Sequence, residues 1–475
     1  MKTLKRRTHP AISALLLCAS LAAAAAHAQS PTPATWGSYE KLFSAQSPWN
    51  SRPVNPVLDE SITVPPEGTY APVVAAGGYS TAVFRALPTD GPVIVYGPDD
   101  TKAVSDPDSG VFRNVTIARW PSVVIPATAA DGHADIVDEE AGVVHSFWKL
   151  KQVDGVWRAA LYSWSPLKGS GFGDPAHYYQ GARATGVTSS AGIIRLHELT
   201  DGKPSYDHAL AISLTAKSLS SGATIPAYVY PATSADGTTS NNTGKIPEGS
   251  LLMLPANFDA TGIVHPELKR VVATLKSHGA YVVDRTENTP FAIYVENGSN
   301  FSLMPNGWDN KVVAQLNLIR AGLRKVVSAE SWLDGDGNVK AAPVTGNLLS
   351  MRGSWWMSGG TALGVFDTLQ QALVFPPMAK SITQSNGNYT GYTKVTWAQP
   401  AANTLMRFKS VATGGARVRI TVKTAAAGQV YDSGLLADGQ SSTFYWPGTG
   451  AAVTVVATSG VSATGSTVKG LLTAE

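Results

Sequence analysis

The sequence predicts a mainly β protein: a β-sandwich or jelly-roll-like main domain with two peripheral helices, then a small C-terminal antiparallel β-sandwich. The first observation is composition, because the 475 residues include 45 glycines and 30 prolines and only 15% are charged. Such a chain is typical of short strands joined by tight turns. The second is periodicity, since alternating apolar runs recur along the chain and helical spacing is rare. The third is a Pro376-Pro377 break ahead of an almost wholly β-type segment.

Residues 1–28 have the features of a secretory signal peptide. Four basic residues precede a short apolar run that ends in the small-residue sequence Ala26-His27-Ala28. That run is too short to span a bilayer, and no later segment approaches the roughly 20 apolar residues of a membrane helix. We therefore expect a secreted protein, periplasmic or extracellular, with no membrane span. A flexible lead-in over 29–38 should follow the cleavage site.

Charge and cysteine usage exclude several functions. The leader holds Cys18, the one cysteine, and its four basic residues turn a formal net charge of +3 into −1 when they are removed. A mature chain without basic excess lacks the electrostatic footprint of nucleic-acid binding. Without a thiol it also has no thiolate catalysis, no disulfide and no cysteine-ligated metal.

The main domain is predicted to span residues 39–375. Alternation favours a hairpin with strands at 134–138 and 143–149, then strands at 192–199 and 206–212. Apolar spacing predicts amphipathic helices over 266–278 and 310–328. Beyond the proline pair, residues 378–475 should form a separate accessory domain.

A candidate active surface lies within 131–212, where five of the seven histidines outside the leader fall. Strand alternation would place Arg195 beside His197 and Tyr206 beside His208. Histidine, tyrosine and arginine suit β-elimination at a uronic acid, which needs a proton acceptor, a proton donor and a carboxylate neutraliser. The predicted catalytic residues are His208, Tyr206, Arg195, His133 and His145. The predicted substrate-binding residues are Trp148, Trp164, His177, Tyr178 and His197. The substrate would be an acidic polysaccharide.

Other readings stay open. A glycoside hydrolase would use a carboxylate pair, for which Glu198 and Asp207 are the candidates. A non-catalytic glycan-binding or cell-surface protein would use the tryptophans as stacking platforms and the histidines as structural residues. The Ser/His/Asp reading is weak, because no Gly-x-Ser-x-Gly elbow is present.

Metal sites have weak support, and no cofactor is expected to be required. His133 and Asp135 could bind a metal with another histidine, but that spacing is common. The segment Asp334, Asp336 and Asn338 resembles the opening of a calcium loop and then departs from it, since Val339 stands where a glycine is expected. A plain turn is the favoured interpretation.

Several segments together resemble a family of secreted bacterial proteins of uncharacterised activity. They are Asp131-Gly132-His133, Ile194-Arg195, the run from Tyr206 to Ala211, Ser47-Pro48-Trp49-Asn50, and the run from Gly279 to Asp284. The resemblance covers roughly residues 40–300 and omits the C-terminal domain. It implies that these segments act as a unit, and it implies no activity.

Overall fold

The chain is mainly β, as the sequence predicts, and its described part contains two α-helices in a computed structural model. The predicted leader, at 1–28, lies outside the described residues. Within the described ranges, neither helix has the length and apolar character needed to cross a membrane. The described residues are 34–67, 70–107, 111–172, 179–223, 225–229, 231–340, 350–352, 355–356, 362–367, 372–385, 393–395, 402–448 and 450–475.

The first eighteen strands and both helices precede residue 341. The helices are α1 (Pro266–Ser277) and α2 (Asn310–Gly322). The strands are β1 (Arg52–Asp59), β2 (Val73–Ala75), β3 (Ala82–Arg85), β4 (Val93–Val95), β5 (Val104–Asp106), β6 (Val111–Arg113), β7 (Val115–Ile117), β8 (Ala134–Asp138), β9 (Val143–Trp148), β10 (Lys151–Val153), β11 (Val156–Arg158), β12 (Leu161–Pro166), β13 (Leu210–Thr215), β14 (Leu251–Met253), β15 (Ala280–Thr286), β16 (Phe291–Tyr294), β17 (Arg324–Leu333) and β18 (Val339–Lys340).

Two sheets organise this part of the chain. The large sheet has the order β1-β17-β14-β15-β13-β16-β2, with β18 paired to β17. It is mixed, because β13 runs parallel to β15 and β16 runs parallel to β2. The second sheet has the order β3-β8-β9-β12-β5-β6. Its β8-β9 pair is the predicted hairpin, which is confirmed.

Apolar residues fill three layers around these sheets. Alternate residues of β13 point to opposite faces of the large sheet, so Ile212 packs with the apolar faces of α1 and α2 while Ala211 packs toward the second sheet. Val137 and Val144 of the second sheet join that middle layer. A third cluster, with Phe147, covers the outer face of the second sheet. The central strands are therefore buried on both sides, which explains their continuous apolar runs.

Three sequence predictions need correction. The strand expected at 206–212 begins only at Leu210, so Tyr206 and His208 precede it and do not share a strand face. The second helix was expected to reach 328 but ends at Gly322, because the following residues form β17 and pair with β1. The segment 192–199 was expected to be a strand. It makes a single bridge at Ile194 and then turns, because the Glu198 side chain accepts the backbone N–H of Arg195 at 2.8 Å. Local capture of a backbone donor competes with strand pairing.

The C-terminal strands pair antiparallel throughout and form the predicted sandwich. The apolar residues of its six-stranded and four-stranded sheets share one cluster that contains no residue before Leu373. Its strands are β19 (Ser350–Arg352), β20 (Trp355–Trp356), β21 (Ala362–Asp367), β22 (Ala372–Phe375), β23 (Thr383–Ser385), β24 (Thr393–Val395), β25 (Leu405–Thr413), β26 (Arg417–Thr424), β27 (Gly428–Asp432), β28 (Ser441–Tyr445), β29 (Ala452–Thr458) and β30 (Ser466–Ala474).

The predicted domain boundary at Pro376-Pro377 falls inside this sandwich. Strand β22 lies before the prolines and pairs with β30, the last strand of the chain. Its residues Leu373 and Phe375 are buried in the C-terminal cluster. Independent folding of residues 378–475 stays a prediction, and a cut at 378 would remove three strands, β20, β21 and β22, from the six-stranded sheet.

Candidate functional site

Two of the predicted catalytic histidines are buried at the second sheet. His145 lies on β9, and His133 lies directly before β8. The His145 side chain lies on the face that carries Phe147, and its Nδ1 is 2.8 Å from the Tyr162 hydroxyl. The Nδ1 of His133 is 3.0 Å from the Ser189 hydroxyl. Burial lowers the pKa of His133 to about 3 and that of His145 to about 4. Both imidazoles are therefore neutral at physiological pH.

Arg195, Glu198 and His208 form one buried ionic cluster. The Arg195 guanidinium donates from Nε to Glu296 at 2.7 Å and from Nη1 to the Tyr39 carbonyl at 2.8 Å. The His208 Nε2 lies 3.1 Å from the Glu198 carboxylate. Burial opposes both charges of that pair, but their attraction outweighs it, raising the pKa of His208 and lowering that of Glu198 to about 2. The cluster has the character of a structural ion network.

Tyr206 belongs to the helix side of the large sheet. It is 1% exposed, and its hydroxyl donates to the Glu267 carboxylate at 2.9 Å. Burial raises the pKa of Tyr206 well above its usual range. Since His145 lies in the outer cluster of the second sheet, the five predicted catalytic residues are spread over separate layers. Their catalytic assignment stays a prediction that this placement does not favour.

The other predicted residues are scattered. Half-buried Trp148 donates its indole N–H to Asp131 at 3.0 Å, half-buried Trp164 lies on β12, and His197 is exposed. Asp207 is exposed and pairs with Lys203 at 2.6 Å. His177 and Tyr178 lie outside the described residues.

The calcium candidate forms the turn between β17 and β18. One Asp334 oxygen accepts the backbone N–H groups of Asp336 and Asn338, and the other accepts from Gln46. The Asp336 carboxylate accepts the indole N–H of Trp36. For the metal alternative on β8, Asp135 accepts from Ser146 and from the backbone of Ser190. Across the described ranges, no cluster of three or more His, Cys, Asp or Glu side chains is arranged to hold a metal ion.

A cavity of about 490 Å³ opens on the face of the large sheet that is turned toward the second sheet. Its floor comes from four neighbouring strands, because alternate residues of β2, β16, β13 and β15 point to this side. Loops before β3, before β8, between β13 and β14 and after β15 form its walls. The residues of the floor and walls include Val73, Ala75, Tyr79, Asp131, Ser213, Asp236, Asp284, Arg285, Glu287, Ala292 and Tyr294.

Asp284 reaches the cavity because of a bulge. Between Ile212 and Ser213 of β13 the register with β15 shifts by one residue, so Val283 is the extra residue and Asp284 pairs with Ser213. A bulge re-aims the side chains that follow it. The Thr185 hydroxyl donates to the Val283 carbonyl at 3.0 Å and fixes the bulge. As a result, the Asp284 side chain is 18% exposed on the cavity wall.

The environment of Asp284 changes its acidity. Burial raises the pKa of Asp284 to about 6, the Arg183 guanidinium opposes that rise, and the negative charge of Asp236 adds to it. Arg183 is only 1% exposed, with Nη1 at 3.5 Å from the Asp284 carboxylate and its guanidinium carbon 3.9 Å from the Tyr294 ring centroid. Among the described residues, Nε and Nη2 of Arg183 have no hydrogen-bond partner.

A buried glutamate supports the Asp236 loop. Both carboxylate oxygens of Glu248 accept the backbone N–H of Asp236, at 3.2 and 3.3 Å. Glu248 is fully buried, and burial raises its pKa to about 8. The loop that carries Arg183 is fixed nearby by Gly186, whose φ of +80° and close approach to Thr233 leave no room for a Cβ.

Sequence reasoning missed the acidic residues of this cavity. Asp284 directly follows the buried apolar run 280–283 within β15, and a charged residue at the end of such a run is a usable signal. It also belongs to the segment 279–284 that carries the family resemblance. Arg183 lies in the long glycine-rich loop, which is a feature of functional loops. Asp236 and Glu248 have no such signal, because their proximity depends on the fold.

Comparisons with known proteins add no family. No family model and no curated protein matches the chain. One solved structure with a partial likeness is the Glycosylation Associate Protein complex from Streptococcus agalactiae, at 17% identity and a TM-score of 0.17. The aligned part covers 26% of this chain and 44% of that chain.

Proposed function

We propose that the chain is a glycoside hydrolase whose active site is the cavity beside Asp284. The observation that carries the proposal is the Asp284 carboxyl group, which lies on the cavity wall with a pKa of about 6. A carboxyl group with that pKa is still partly protonated near neutral pH and can give its proton to a glycosidic oxygen.

The second role in glycoside hydrolysis belongs to an ionised carboxylate. Asp131 and Asp236 line the same cavity, and neither forms an ion pair with any described residue. One of them would attack the anomeric carbon or take a proton from the attacking water. In either case the bond from the anomeric carbon to the leaving oxygen breaks and Asp284 protonates that oxygen. If the carboxylate attacked, water then cleaves the glycosyl ester, gives its hydroxyl to the sugar and returns a proton to Asp284. If the carboxylate acted as base, the attacking water supplies the hydroxyl, its proton goes to that carboxylate, and exchange with solvent restores both groups.

This proposal keeps the hydrolase alternative of the sequence analysis with different residues. Elimination by His208, Tyr206 and Arg195 has less support, because Tyr206 is 1% exposed and all three polar groups bind neighbouring side chains. We also propose that the substrate is an extracellular polysaccharide, since residues 1–28 have the features of a secretory signal.

The test uses the mature chain and a panel of acidic, neutral and amino-sugar polysaccharides. We expect new reducing ends without the ultraviolet absorbance of an unsaturated uronate. Asp284→Asn should lose roughly 10²- to 10⁴-fold in rate, the usual contribution of general acid catalysis. The matched control is Asp154→Asn, an exposed turn residue whose φ of 51° asparagine also tolerates.

Three outcomes would overturn the proposal. Unsaturated products would assign the reaction to elimination. Loss of activity in Asp207→Asn or Glu198→Gln, with Asp284→Asn unaffected, would move the site to that carboxylate pair. Saturable binding by the folded wild-type protein, without product from any polymer, would indicate the non-catalytic glycan-binding function.

A further inference from the structure

The cavity wall carries more acidic than basic side chains. The lining acids are Asp131, Asp236, Asp284 and Glu287, and the lining base is Arg285. Arg285 pairs with Glu287 at 3.3 Å, and Asp284 lies 3.5 Å from Arg183 behind the wall. Within the described part of the chain, this leaves Asp131 and Asp236 without a cationic partner. Their charges are therefore available to a ligand.

Polar contacts orient these two carboxylates without neutralising them. Asp131 accepts the Trp148 indole N–H at 3.0 Å, and Asp236 accepts the backbone N–H of Thr238 at 3.3 Å. Both donors are uncharged. The Asp236 loop is itself fixed by Glu248, as described above. The two carboxylates are thus oriented at the cavity by uncharged donors.

An exposed aromatic ring supplies an independent indication of the ligand. Tyr79 lines the cavity and is 62% exposed, although a tyrosine ring gains by burial. The face of a tyrosine ring attracts cations and stacks on flat apolar surfaces. An exposed ring beside two unpaired carboxylates fits a ligand that combines a sugar ring with a positive charge.

We propose that this site selects oligosaccharides with unsubstituted amino groups, whose ammonium ions bind Asp236, which leaves Asp131 for the reaction at the anomeric carbon. That the ligand is a saccharide rests on the proposed function, whereas its positive charge rests on the cavity itself. A uronate would place a like charge against these carboxylates. The inference therefore replaces the acidic polymer expected from the sequence with a cationic one.

Calorimetric titration of the full mature chain tests the inference apart from turnover. The Asp284→Asn variant is titrated with short oligomers of glucosamine, N-acetylglucosamine and galacturonic acid at about pH 6, above the ordinary aspartate range. The glucosamine oligomer should bind at least about tenfold more tightly than the acetylated one, as expected for ion pairs near a protein surface. Salt at about 1 M, where the Debye length is about 3 Å, should reduce the difference.

A second substitution locates the effect. Asp236→Asn in the same background should remove most of the preference for the amino sugar, while Asp154→Asn should leave it unchanged. Equal binding of the amino and acetylated oligomers, or tighter binding of the uronate, would overturn the inference. If the wild-type chain then hydrolyses neutral polymers, the proposed hydrolase function is supported and the selectivity for amino sugars is rejected. Selective amino-sugar binding without hydrolysis would support the inference and refute the proposed function.

Discussion

Arg195 and Arg183 are two buried arginines with different surroundings. Arg195 makes short bonds to Glu296 and to the Tyr39 carbonyl, so only its Nη2 lacks a partner in the described structure. Arg183 has one ion pair at 3.5 Å and two nitrogens without described partners, and it lies behind a cavity wall. Closely paired charges hold a fold together, whereas a loosely paired charge beside a cavity can act on a neighbouring titrating group. The difference separates a framework cluster from a candidate active site.

The largest expected effect is on the framework cluster. Arg195→Met should lower the free energy of unfolding by about 3–5 kcal/mol, because Glu296 would remain buried and unpaired. Urea unfolding at neutral pH measures the change. Arg183→Met should cost less than half as much, since Asp284 can take up a proton instead. Equal losses in the two variants would show that both arginines are framework residues.

The next effect concerns the stability contribution of Asp284. Its folded pKa of about 6 lies above the ordinary aspartate value of 3.8, so the folded state binds the extra proton and stability falls as pH rises between these values. Asp284→Asn removes this loss. The difference in free energy of unfolding between the variant and wild type should therefore shift in favour of the variant by about 2 kcal/mol from pH 4 to pH 8. Urea unfolding at several pH values measures the difference. A difference that does not change with pH would contradict the pKa of Asp284.

Substitution in the His208–Glu198 pair should destabilise the protein, unlike Asp284→Asn. Because the pKa of His208 is raised, its contribution is complete below pH 6.5 and is lost as pH rises through the folded value. The lowered pKa of Glu198 adds a loss as pH falls from 4.5 toward about 2. His208→Gln should therefore lose about 1–2 kcal/mol near pH 5.5 and less near pH 9.

Activity of the same variant bears on the reaction. Retained hydrolysis in His208→Gln would remove His208 from catalysis and leave it a structural role. Loss of activity without loss of stability would instead support the elimination mechanism over hydrolysis.

A smaller effect should link Arg183 to the reaction. Without the guanidinium the pKa of Asp284 rises, so the alkaline limb of the pH–rate profile in Arg183→Met should move up by about one pH unit. Arg85→Met, at a 55% exposed side chain, is the matched control and should leave the limb in place. An unmoved limb in Arg183→Met would mean that Arg183 does not act on the catalytic acid.

The smallest effect is expected from the C-terminal sandwich. Deletion from Ala341 onward keeps β22 with its partner β30 on the same side of the cut, unlike a deletion from 378. Turnover of a soluble oligosaccharide should be unchanged, because none of the cavity residues lies in the deleted part. A folded deletion variant with reduced turnover would assign the sandwich a part in catalysis.

Local patterns in the sequence predicted what local interactions determine. The β8-β9 hairpin and both helices follow from alternation, apolar spacing and a proline at the first turn of α1. The expected strand at 192–199 failed because one side chain, Glu198, captures the Arg195 N–H. That bond depends on the positions of His208 and Arg270 around Glu198, which sequence spacing does not reveal.

The candidate site could not be read from the sequence, because it depends on the alignment of distant strands. Asp284 faces the cavity only through the shifted register between β13 and β15. A register one residue different would turn it to the helix side. The histidines are catalytic candidates in the sequence because histidine titrates near neutral pH. His133 and His145 are buried, however, and burial favours their neutral form.

The bond from Thr185 to the Val283 carbonyl has a consequence for the order of folding. The cavity is complete only when the buried loop of residues 179–193 has entered between the two sheets and fixed the β15 bulge. Contacts between such distant segments form late, because closing a long loop costs conformational entropy before the contacts that offset this cost have formed. We expect amide protons of β15 beyond the bulge to gain exchange protection after those of the β8-β9 hairpin during refolding. The chain would thus acquire its secondary structure before its cavity.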